Sequence, residues 1–379
     1  MIPTYVPVLK ALASEFDAVA NMAKPNSRKV RPLFEIPRIG KSIIDAKRFK
    51  GCTALTAAYL DEVAGRMANV WRGRLVMADA YPWQPDATVE TGEHIIPYVY
   101  GRLESLGVRV VPVIGYDRWE NQTYRMAIQG IEVPDTRLYC LRLDADAIED
   151  AADPEHFLEK IQTILDDLAL LPARCFVLFD FGDVTTRSVE EMMLQTSSLL
   201  ALLEPYGFSY FVTAGCSLHS SINQTVKKQD STGKVLRKEM LLWQATRQEH
   251  EGVRVVYGDY GVRGPASNEG VPNPNTNGKI RYTIGSHFFV ARGHSMKLPG
   301  KGEQMWRLAE TVMQSQHYMG EDFSWGDERV AACSRKEFKG TAGQWITIDT
   351  NHHLAYSVAE VENFEMTVMS PAGKATRTA

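Results

Sequence analysis

The amino-acid sequence predicts an α/β fold, a (β/α)₈ barrel of the TIM type with long loops and a C-terminal elaboration. Eight short runs rich in β-branched and aromatic residues recur along the chain, and the segments between them are long enough for a helix. Such alternation indicates a parallel sheet buried on both faces. The main alternative, an open doubly wound sheet, usually has fewer strands. The predicted strands are 5–10, 30–36, 74–79, 109–116, 137–144, 175–183, 208–216 and 253–260.

Helix signals fall in the gaps between these runs. Asp153 followed by Pro154 is typical of a helix start, because aspartate caps the first turn and proline suits the first helical position. Segment 93–106 has apolar residues at helical spacing and ends at Gly107, a common stop residue. Segment 188–203 is amphipathic in the same way. The gaps therefore predict helices packed around a barrel.

Two long polar segments leave the seventh and eighth predicted strands, at 217–234 and 263–279. Loops of this length in a compact fold are usually lids or binding loops, or else disordered, and both would rise from the C-terminal face of the barrel.

After residue 280 the βα rhythm changes. We expect 304–318 to form the outer eighth helix of the barrel, and 345–361 to form a strand, a turn and a helix. The predicted domains are a barrel over 1–262, an elaboration packed on it over 263–363, and a flexible tail over 364–379.

Composition narrows the class of protein. The 379 residues are 44% hydrophobic and 23% charged, which is ordinary for a globular protein, and the net charge of −4 does not predict a general attraction to nucleic acid. This net charge does not exclude a local basic groove on the surface. Five cysteines without a CxxC pair favour a reducing, cytoplasmic location. No apolar window approaches the roughly 18 residues of a membrane span, and the N-terminus does not resemble a signal peptide.

The ends of the predicted strands form a ring, because the carboxyl ends of parallel strands meet on the face of a barrel where active sites lie. Many of the residues there are charged. In chain order they are Lys10, Glu35, Asp79, Tyr116 with Asp117, Arg142 with Asp144, Asp180 with Asp183, Thr213 and Asp259. The sequence therefore predicts a polar site at this face.

Carboxylates on four of these strands predict a divalent metal site, since oxygen-rich sites suit Mg²⁺ or Mn²⁺. Lys10 and Arg142 would hold a phosphate or carboxylate group, so the ring suits phosphoester hydrolysis. Structural ion pairs that tie the barrel closed are the open alternative for each residue. Glu35 and Asp180 stand in apolar surroundings, where a buried charge needs a partner. The predicted metal ligands are Glu35, Asp79, Asp180 and Asp259.

The C-terminal third adds two motifs. His352 and His353 are adjacent, so on a strand they would point to opposite faces, and a structural histidine is as plausible as a functional one. In segment 323–327, Ser324 or Asp327 is expected to cap a helix, and Trp325 is either a core residue or a ligand contact. The sequence has no dinucleotide-binding glycine motif, no P-loop and no serine-hydrolase elbow.

Several segments together resemble the phage beta protein family. They are spread over almost the whole chain. The matching pieces are 5–10 (YVPVLK), 32–37 (PLFEIP), 258–261 (GDYG), 280–283 (IRYT), 323–327 (FSWGD) and 351–353 (NHH). The polar positions among them are Lys10, Glu35, Asp259, Tyr260, Arg281, Trp325, Asp327, Asn351, His352 and His353.

The resemblance implies a prophage-encoded role in anti-phage defence or toxin control, with a protein partner from the same cassette. Such a protein would act through that partner or through a ligand at the barrel mouth. The alternative is a metal-dependent phosphoester hydrolase with a nucleotide or nucleic-acid substrate. The family brings no agreed catalytic residues, so the roles rest on the residues themselves. The predicted catalytic residues are Glu35, Asp180, Asp259, His352 and His353, and the predicted substrate-binding residues are Lys10, Arg142, Tyr260, Arg281 and Trp325.

Overall fold

A nine-stranded parallel sheet forms the centre of the protein and curls into a nearly closed barrel. The structure, a computed structural model, describes residues 2–265, 276–298, 300 and 302–368. The barrel strands are β1 (Tyr5–Lys10), β2 (Leu33–Glu35), β3 (Leu75–Asp79), β4 (Arg109–Val111), β5 (Val113–Gly115), β6 (Tyr139–Leu143), β7 (Cys175–Asp183), β8 (Phe211–Cys216) and β10 (Val255–Asp259). Their spatial order is β4-β3-β2-β1-β10-β8-β7-β6-β5. A parallel α/β barrel-like fold was predicted, and this coarse prediction is confirmed.

Helices surround the barrel and continue into the C-terminal part. They are α1 (Ala13–Ala20), α2 (Lys24–Ser27), α3 (Lys41–Ile44), α4 (Leu55–Trp71), α5 (Ile95–Ser105), α6 (Gln122–Gln129), α7 (Ala145–Asp150), α8 (Pro154–Asp167), α9 (Val189–Leu203), α10 (Ile222–Thr225), α11 (Lys238–Glu249), α12 (Gln304–Gln314), α13 (Trp325–Ser334) and α14 (Ala342–Val368), with 3₁₀ turns at Lys47–Phe49, Pro172–Arg174 and Glu204–Tyr206. Within the described residues no helix is both long and apolar enough to cross a membrane.

The predicted caps occur where the sequence placed them. Asp153 accepts a hydrogen bond from the backbone N–H of His156 at 3.3 Å, and Pro154 is the first residue of α8. Gly107 has a positive φ of 82° two residues after α5 ends, a conformation that glycine adopts without strain. Local capping chemistry therefore sets these helix boundaries.

The strand count is nine rather than eight because the predicted run 109–116 is divided at Pro112. Proline has no N–H to donate to a ladder. Before it, β4 pairs with β3, and after it, β5 pairs with β6. The Tyr100 hydroxyl lies at the break, where it donates to the carbonyl of Ala78 at 2.8 Å and accepts from the N–H of Val113 at 3.1 Å.

Alternate residues of each barrel strand face opposite sides, as strand geometry requires. Val6, Val8 and their equivalents on other strands fill the interior, together with Phe176 and Val212. Tyr5, Leu9 and their equivalents pack outward against the helices. The face on which a side chain lies therefore decides whether it can reach the barrel mouth.

A second sheet of three antiparallel strands has the order β11 (Asn277–Ile284), β12 (His287–Ser295) and β9 (Ser231–Leu236). The segment 217–234 was predicted as a loop, but it contains α10 and most of β9. Val226, Phe288 and Val290 join the barrel's interior core, so the small sheet covers part of the C-terminal end. Most of the other predicted loop, 266–275 within 263–279, lies outside the described residues.

The helix that packs on the closing strands is α14, and the prediction that 304–318 would do so is wrong. Helix α12 instead packs on the small sheet and α13, in a separate core. Leu354, Val358 and Val361 of α14 belong to the main core beside Tyr5 and Tyr257. The strand and turn predicted at 345–361 are also absent, because α14 is continuous and extends to Val368. Residues 369–379 of the predicted tail lie outside the described residues.

We predict that Tyr100→Phe lowers the free energy of unfolding by about 1–3 kcal/mol, because it leaves buried backbone groups without a hydrogen-bond partner. Urea-induced unfolding of purified protein measures the change. Tyr98→Phe is the matched control, since the Tyr98 hydroxyl bonds the surface carboxylate of Asp61, and a change within about 0.5 kcal/mol is expected there. Equal effects of the two substitutions would contradict the bridging role.

Candidate functional site

Six buried polar side chains meet at the C-terminal end of the barrel, and we call them the barrel-mouth cluster. Each exposes 6% or less of its surface. They come from the ends of five strands and the residue after β10, and they share the inward face with the apolar interior. They are Lys10, Glu35, Asp79, Arg142, Asp180 and Tyr260. All six were predicted as site residues.

Arg142 lies at the centre of this cluster. Its Nε donates to Asp180 Oδ2 at 2.8 Å, and its Nη1 donates to Asp79 Oδ2 at 2.8 Å. Its Nη2 donates to Glu35 Oε1 at 2.6 Å and to Asp180 Oδ2 at 2.5 Å. One guanidinium therefore binds carboxylates from three strands, which its fixed fork of donors allows and a lysine would not.

Two further cations complete the charge balance. Lys10 Nζ donates to Glu35 Oε2 at 2.9 Å. Arg118, from the loop after β5, donates to Asp79 through Nη1 at 2.7 Å and Nη2 at 3.2 Å. Sequence reasoning missed Arg118, since it follows its strand by three residues, and only its place just after Asp117 pointed to the ring. Three cations thus face three carboxylates.

The electrostatics follow from burial and pairing. Burial alone would raise the pKa of Glu35, but Arg142 and Lys10 outweigh it and hold the pKa below its ordinary value. Arg118 and Arg142 act in the same way on Asp79. Glu35 and Asp79 are therefore held ionised inside the network.

Tyr260 connects this network to β10. Its hydroxyl accepts from Arg142 Nη2 at 3.1 Å and donates to Asp180 at 2.8 Å. Burial and the Asp180 charge raise the pKa of Tyr260 well above its ordinary value, so it stays a donor. The centroid of the Tyr81 ring lies 4.1 Å from the Arg142 guanidinium carbon, so the ring makes a cation–π contact with the network.

Asp259 does not join the other three predicted metal ligands. It lies two residues after Tyr257 on β10, so its side chain is on the same face of the strand and points outward, against α14. There it accepts from the hydroxyl of Tyr257 at 2.6 Å and from the hydroxyl of Tyr5. His353 Nε2 lies 2.8 Å from it. Among the described residues no three His, Cys, Asp or Glu side chains are grouped so that they could hold a metal ion.

His353 is fully buried between the barrel and α14. Burial lowers its pKa, so the ring is neutral, donating from Nε2 to Asp259 and accepting at Nδ1 from the Thr283 hydroxyl at 2.8 Å. Arg237 lies 3.7 Å from Asp259 and donates to Ser357 of α14 at 3.1 Å. These contacts attach α14 to the barrel and lie apart from the mouth.

His352 lies on the same helix but in a different cluster. Its Nε2 lies 2.9 Å from the carbonyl oxygen of Thr283, which requires a proton on Nε2, and its Nδ1 lies 2.9 Å from Asp327 Oδ2. The ring also stacks on Tyr282, with centroids 3.8 Å apart. A helix turns about 100° per residue, so both histidines reach the interior, contrary to the strand prediction.

The remaining predicted residues lie around α13 and α14. Ser324 caps α13 by accepting from the N–H of Asp327 at 3.2 Å, so the predicted cap is confirmed. Trp325 begins that helix and packs, partly buried, on the core formed with α12. Arg281 donates from Nε to Asp349 Oδ2 at 2.9 Å and from Nη1 to the carbonyl of Val262 at 2.7 Å. Among the contacts that the structure describes, neither Trp325 nor Arg281 bonds to the barrel-mouth cluster.

Fold and site together define an α/β barrel-like protein whose mouth holds a buried, charge-balanced network. The chain belongs to the Beta protein family: the family model described as "Beta protein" matches residues 5–359, nearly the whole length. The predicted resemblance is thereby confirmed. No curated protein matches the chain.

We predict that Arg142→Met lowers the free energy of unfolding by about 3–5 kcal/mol, because it leaves three buried carboxylates short of a cation. Arg102→Met is the matched control. Arg102 forms an exposed two-point pair with Asp61, and its loss is expected to cost less than about 1 kcal/mol. Urea unfolding at neutral pH compares the two. A loss of under about 1 kcal/mol for Arg142→Met would contradict the central role of this residue.

The same network predicts a pH dependence of stability. The folded-state pKa values of Glu35 and Asp79 are depressed, so their stabilisation is present above the unfolded pKa of about 4 and is lost as the pH falls through the folded values. In Arg142→Met, burial without that cation raises both pKa values, so unfolding free energy should rise as the pH is lowered from neutral towards about 5. Parallel pH profiles of the unfolding free energy for the parent protein and for Arg142→Met would contradict this.

Proposed function

We propose that this protein acts in prophage-encoded anti-phage defence or toxin control, by binding a ligand or a cassette partner at the C-terminal face of its barrel. Membership of the Beta protein family supports the role, through the function that the resemblance implies. The position of the barrel-mouth cluster supports the site, because barrels bind their ligands at this face.

The observation that carries the proposal is the enclosed charge network around Arg142. Burying three carboxylates and three cations has a large desolvation cost, and apolar residues of similar volume would often give equal or greater stability. A network of this kind is therefore a weak device for stability alone. Its cost supports a role in recognition or switching, in which a partner or ligand competes for the charged groups.

The second candidate is the metal-dependent phosphoester hydrolase with a nucleotide or nucleic-acid substrate. It would use Glu35, Asp79 and Asp180, three carboxylates that all bind Arg142. However, the oxygens that would hold Mg²⁺ or Mn²⁺ already accept hydrogen bonds from Arg142, Arg118 and Lys10. A metal ion would have to replace guanidinium groups, so the donor set as arranged fits a binding role better.

Two finer statements belong to this proposal. Because β4 and β5 are separated only by Pro112, we infer that they are one interrupted strand of an eight-stranded (β/α)₈ barrel. All five cysteines are free thiols, four of them buried, which supports a cytoplasmic site of action.

The protection of cells that carry the whole cassette tests the site. Glu35→Gln keeps the shape of the side chain but removes a charge from the network, and we expect a folded protein that protects poorly. Glu62→Gln, which alters an exposed ion pair with Arg48, is the control and should protect normally. Lys10→Met serves as a second variant if Glu35→Gln does not fold. Normal protection by folded mouth variants would overturn the mouth as the functional site.

Thermal melts with Mg²⁺, Mn²⁺ or Zn²⁺, each with and without a panel of nucleotides, separate the two candidates. A ligand that binds only the folded state raises the melting temperature. We expect no rise with the ions alone, and recovery of a cassette protein when tagged protein is isolated from cells. A metal-dependent rise that Glu35→Gln abolishes would favour the hydrolase instead.

A further inference from the structure

A second group of charged side chains lies beside the barrel mouth, between α1, β11 and α14. We call Glu15, Arg263, Lys279, Arg281 and Asp349 the rim cluster. Arg263 Nη1 donates to Glu15 Oε1 at 3.0 Å, and Arg281 pairs with Asp349 as described above. Three cations thus face two carboxylates. The barrel-mouth cluster together with Arg118 is charge-balanced, whereas this group has a formal excess of one positive charge.

Lys279 accounts for the excess. It shares one face of β11 with Arg281, because the two residues are two positions apart. Among the described contacts, no acceptor receives a hydrogen bond from its ammonium group. Burial and the Arg281 charge lower the pKa of Lys279 to about 8, although Asp349 opposes this. The Lys279 side chain is only partly buried, but its ammonium group is less well solvated there than in water, and a bound anion would offset that cost.

Asp349 shows a matching deficiency on the facing helix. Its Oδ2 accepts from Arg281, from Nε and from the backbone N–H at 3.2 Å, whereas its Oδ1 is buried without a hydrogen-bond partner. The residue exposes only 2% of its surface. Native proteins satisfy nearly all such atoms, so an exception calls for an explanation. A ligand hydroxyl group that donates to Oδ1 would supply the missing bond.

We propose that Arg263, Lys279, Arg281 and Asp349 form a binding pocket for a small phosphate ester that carries a hydroxyl group near its phosphate. The proposal names the ligand class of the binding role proposed above and rests on it. The cations would hold the phosphate oxygens, with Lys279 as a point charge and arginines as directional donors. Asp349 Oδ1 would accept from the hydroxyl group and so distinguish an ester from free phosphate.

The pocket adjoins the mouth of the barrel. Lys10 Nζ donates to the carbonyl of Pro265 at 3.3 Å, and Pro265 is two residues from Arg263. Arg281 donates to the carbonyl of Val262 in the same segment. The segment that follows β10 therefore contacts both clusters, and a ligand held by the rim cluster would act on the same face of the barrel as the proposed partner.

Calorimetric titration of the full chain tests the proposal. The probes are inorganic phosphate, ribose 5-phosphate and sulfate, with sodium chloride at matched ionic strength as the blank. We expect saturable binding of phosphate and tighter binding of ribose 5-phosphate. Lys279→Met should weaken both by about tenfold or more, which corresponds to loss of one charge-assisted hydrogen bond. Lys24→Met, at an exposed lysine on α2, should leave both affinities unchanged.

Asp349→Asn tests the contact with the ligand hydroxyl group separately from the contacts with the phosphate. The amide oxygen can keep the bonds from Arg281 while the NH₂ group replaces the acceptor that faces the pocket. We expect the preference for ribose 5-phosphate over phosphate to fall towards unity. Sulfate keeps a fixed charge, so its affinity should fall several-fold between about pH 7 and 9 as Lys279 loses its proton, and this pH effect should vanish in Lys279→Met.

The melting temperatures of the ligand-free proteins distinguish a ligand-binding Lys279 from a purely structural one. If Lys279 is kept for a ligand, Lys279→Met should raise the melting temperature without ligand while weakening phosphate binding. A lower melting temperature with unchanged phosphate affinity would overturn the pocket, as would the absence of saturable phosphate binding to the parent protein. Protection in cells is scored separately, so loss of the pocket and loss of the defence role are distinguishable outcomes.

Discussion

The guanidinium group of Arg142 is the interaction on which the C-terminal end of the barrel depends. It binds Glu35, Asp79 and Asp180, which come from β2, β3 and β7. A buried carboxylate without a cation is costly, and Arg142 is the cation that all three share. Lys10 also binds Glu35, and Arg118 also binds Asp79. Arg142 also spans the break at Pro112, because it lies on β6 beside β5 and bonds to β3 beside β4. It thereby joins the two edges of the sheet through side chains, where the ladder is interrupted.

Strand β10 connects the mouth to the outer wall of the barrel. Tyr260 points inward and bonds to Asp180, whereas Asp259, one residue earlier, points outward and bonds to His353 of α14. Two adjacent residues thus belong to two separate charge networks. Because Asp259 is buried, with its pKa held low by His353 and Arg237 against the effect of burial, α14 is needed to complete its surroundings. The stability of the barrel wall at Asp259 therefore depends on the C-terminal helix.

Much of this arrangement could be predicted from the sequence. All eight apolar runs contain barrel strands, since a strand buried on both faces leaves a strong local signal. Five of the six members of the barrel-mouth cluster were found from strand ends, and Tyr260 came from the family resemblance. Asp259 was grouped with them because position along a strand was used without its face. Tyr257 and Val255 are outward-facing residues at alternate positions of the same strand, and comparison with them would have assigned Asp259 to the outward face of the barrel.

Other features had no local signal of sufficient strength. The β-branched residues of 345–350 favour a strand by propensity, but packing against the barrel and the small sheet imposes a helix. The same packing turns His352 and His353 into the interior, where each contacts a different carboxylate. Which carboxylate each histidine meets depends on pairings between residues far apart in the chain, and these follow only from the assembled fold.

The two clusters at the C-terminal face differ in the way that separates a structural network from a ligand site. Around Arg142, cations and carboxylates are equal in number and bind one another. Around Lys279, cations are in excess, and Asp349 Oδ1 is buried without a partner. A satisfied network rigidifies its surroundings, whereas unsatisfied buried groups reduce stability until a ligand completes them. Since the segment after β10 contacts both, a ligand in the rim cluster would bear directly on the segment that holds Lys10.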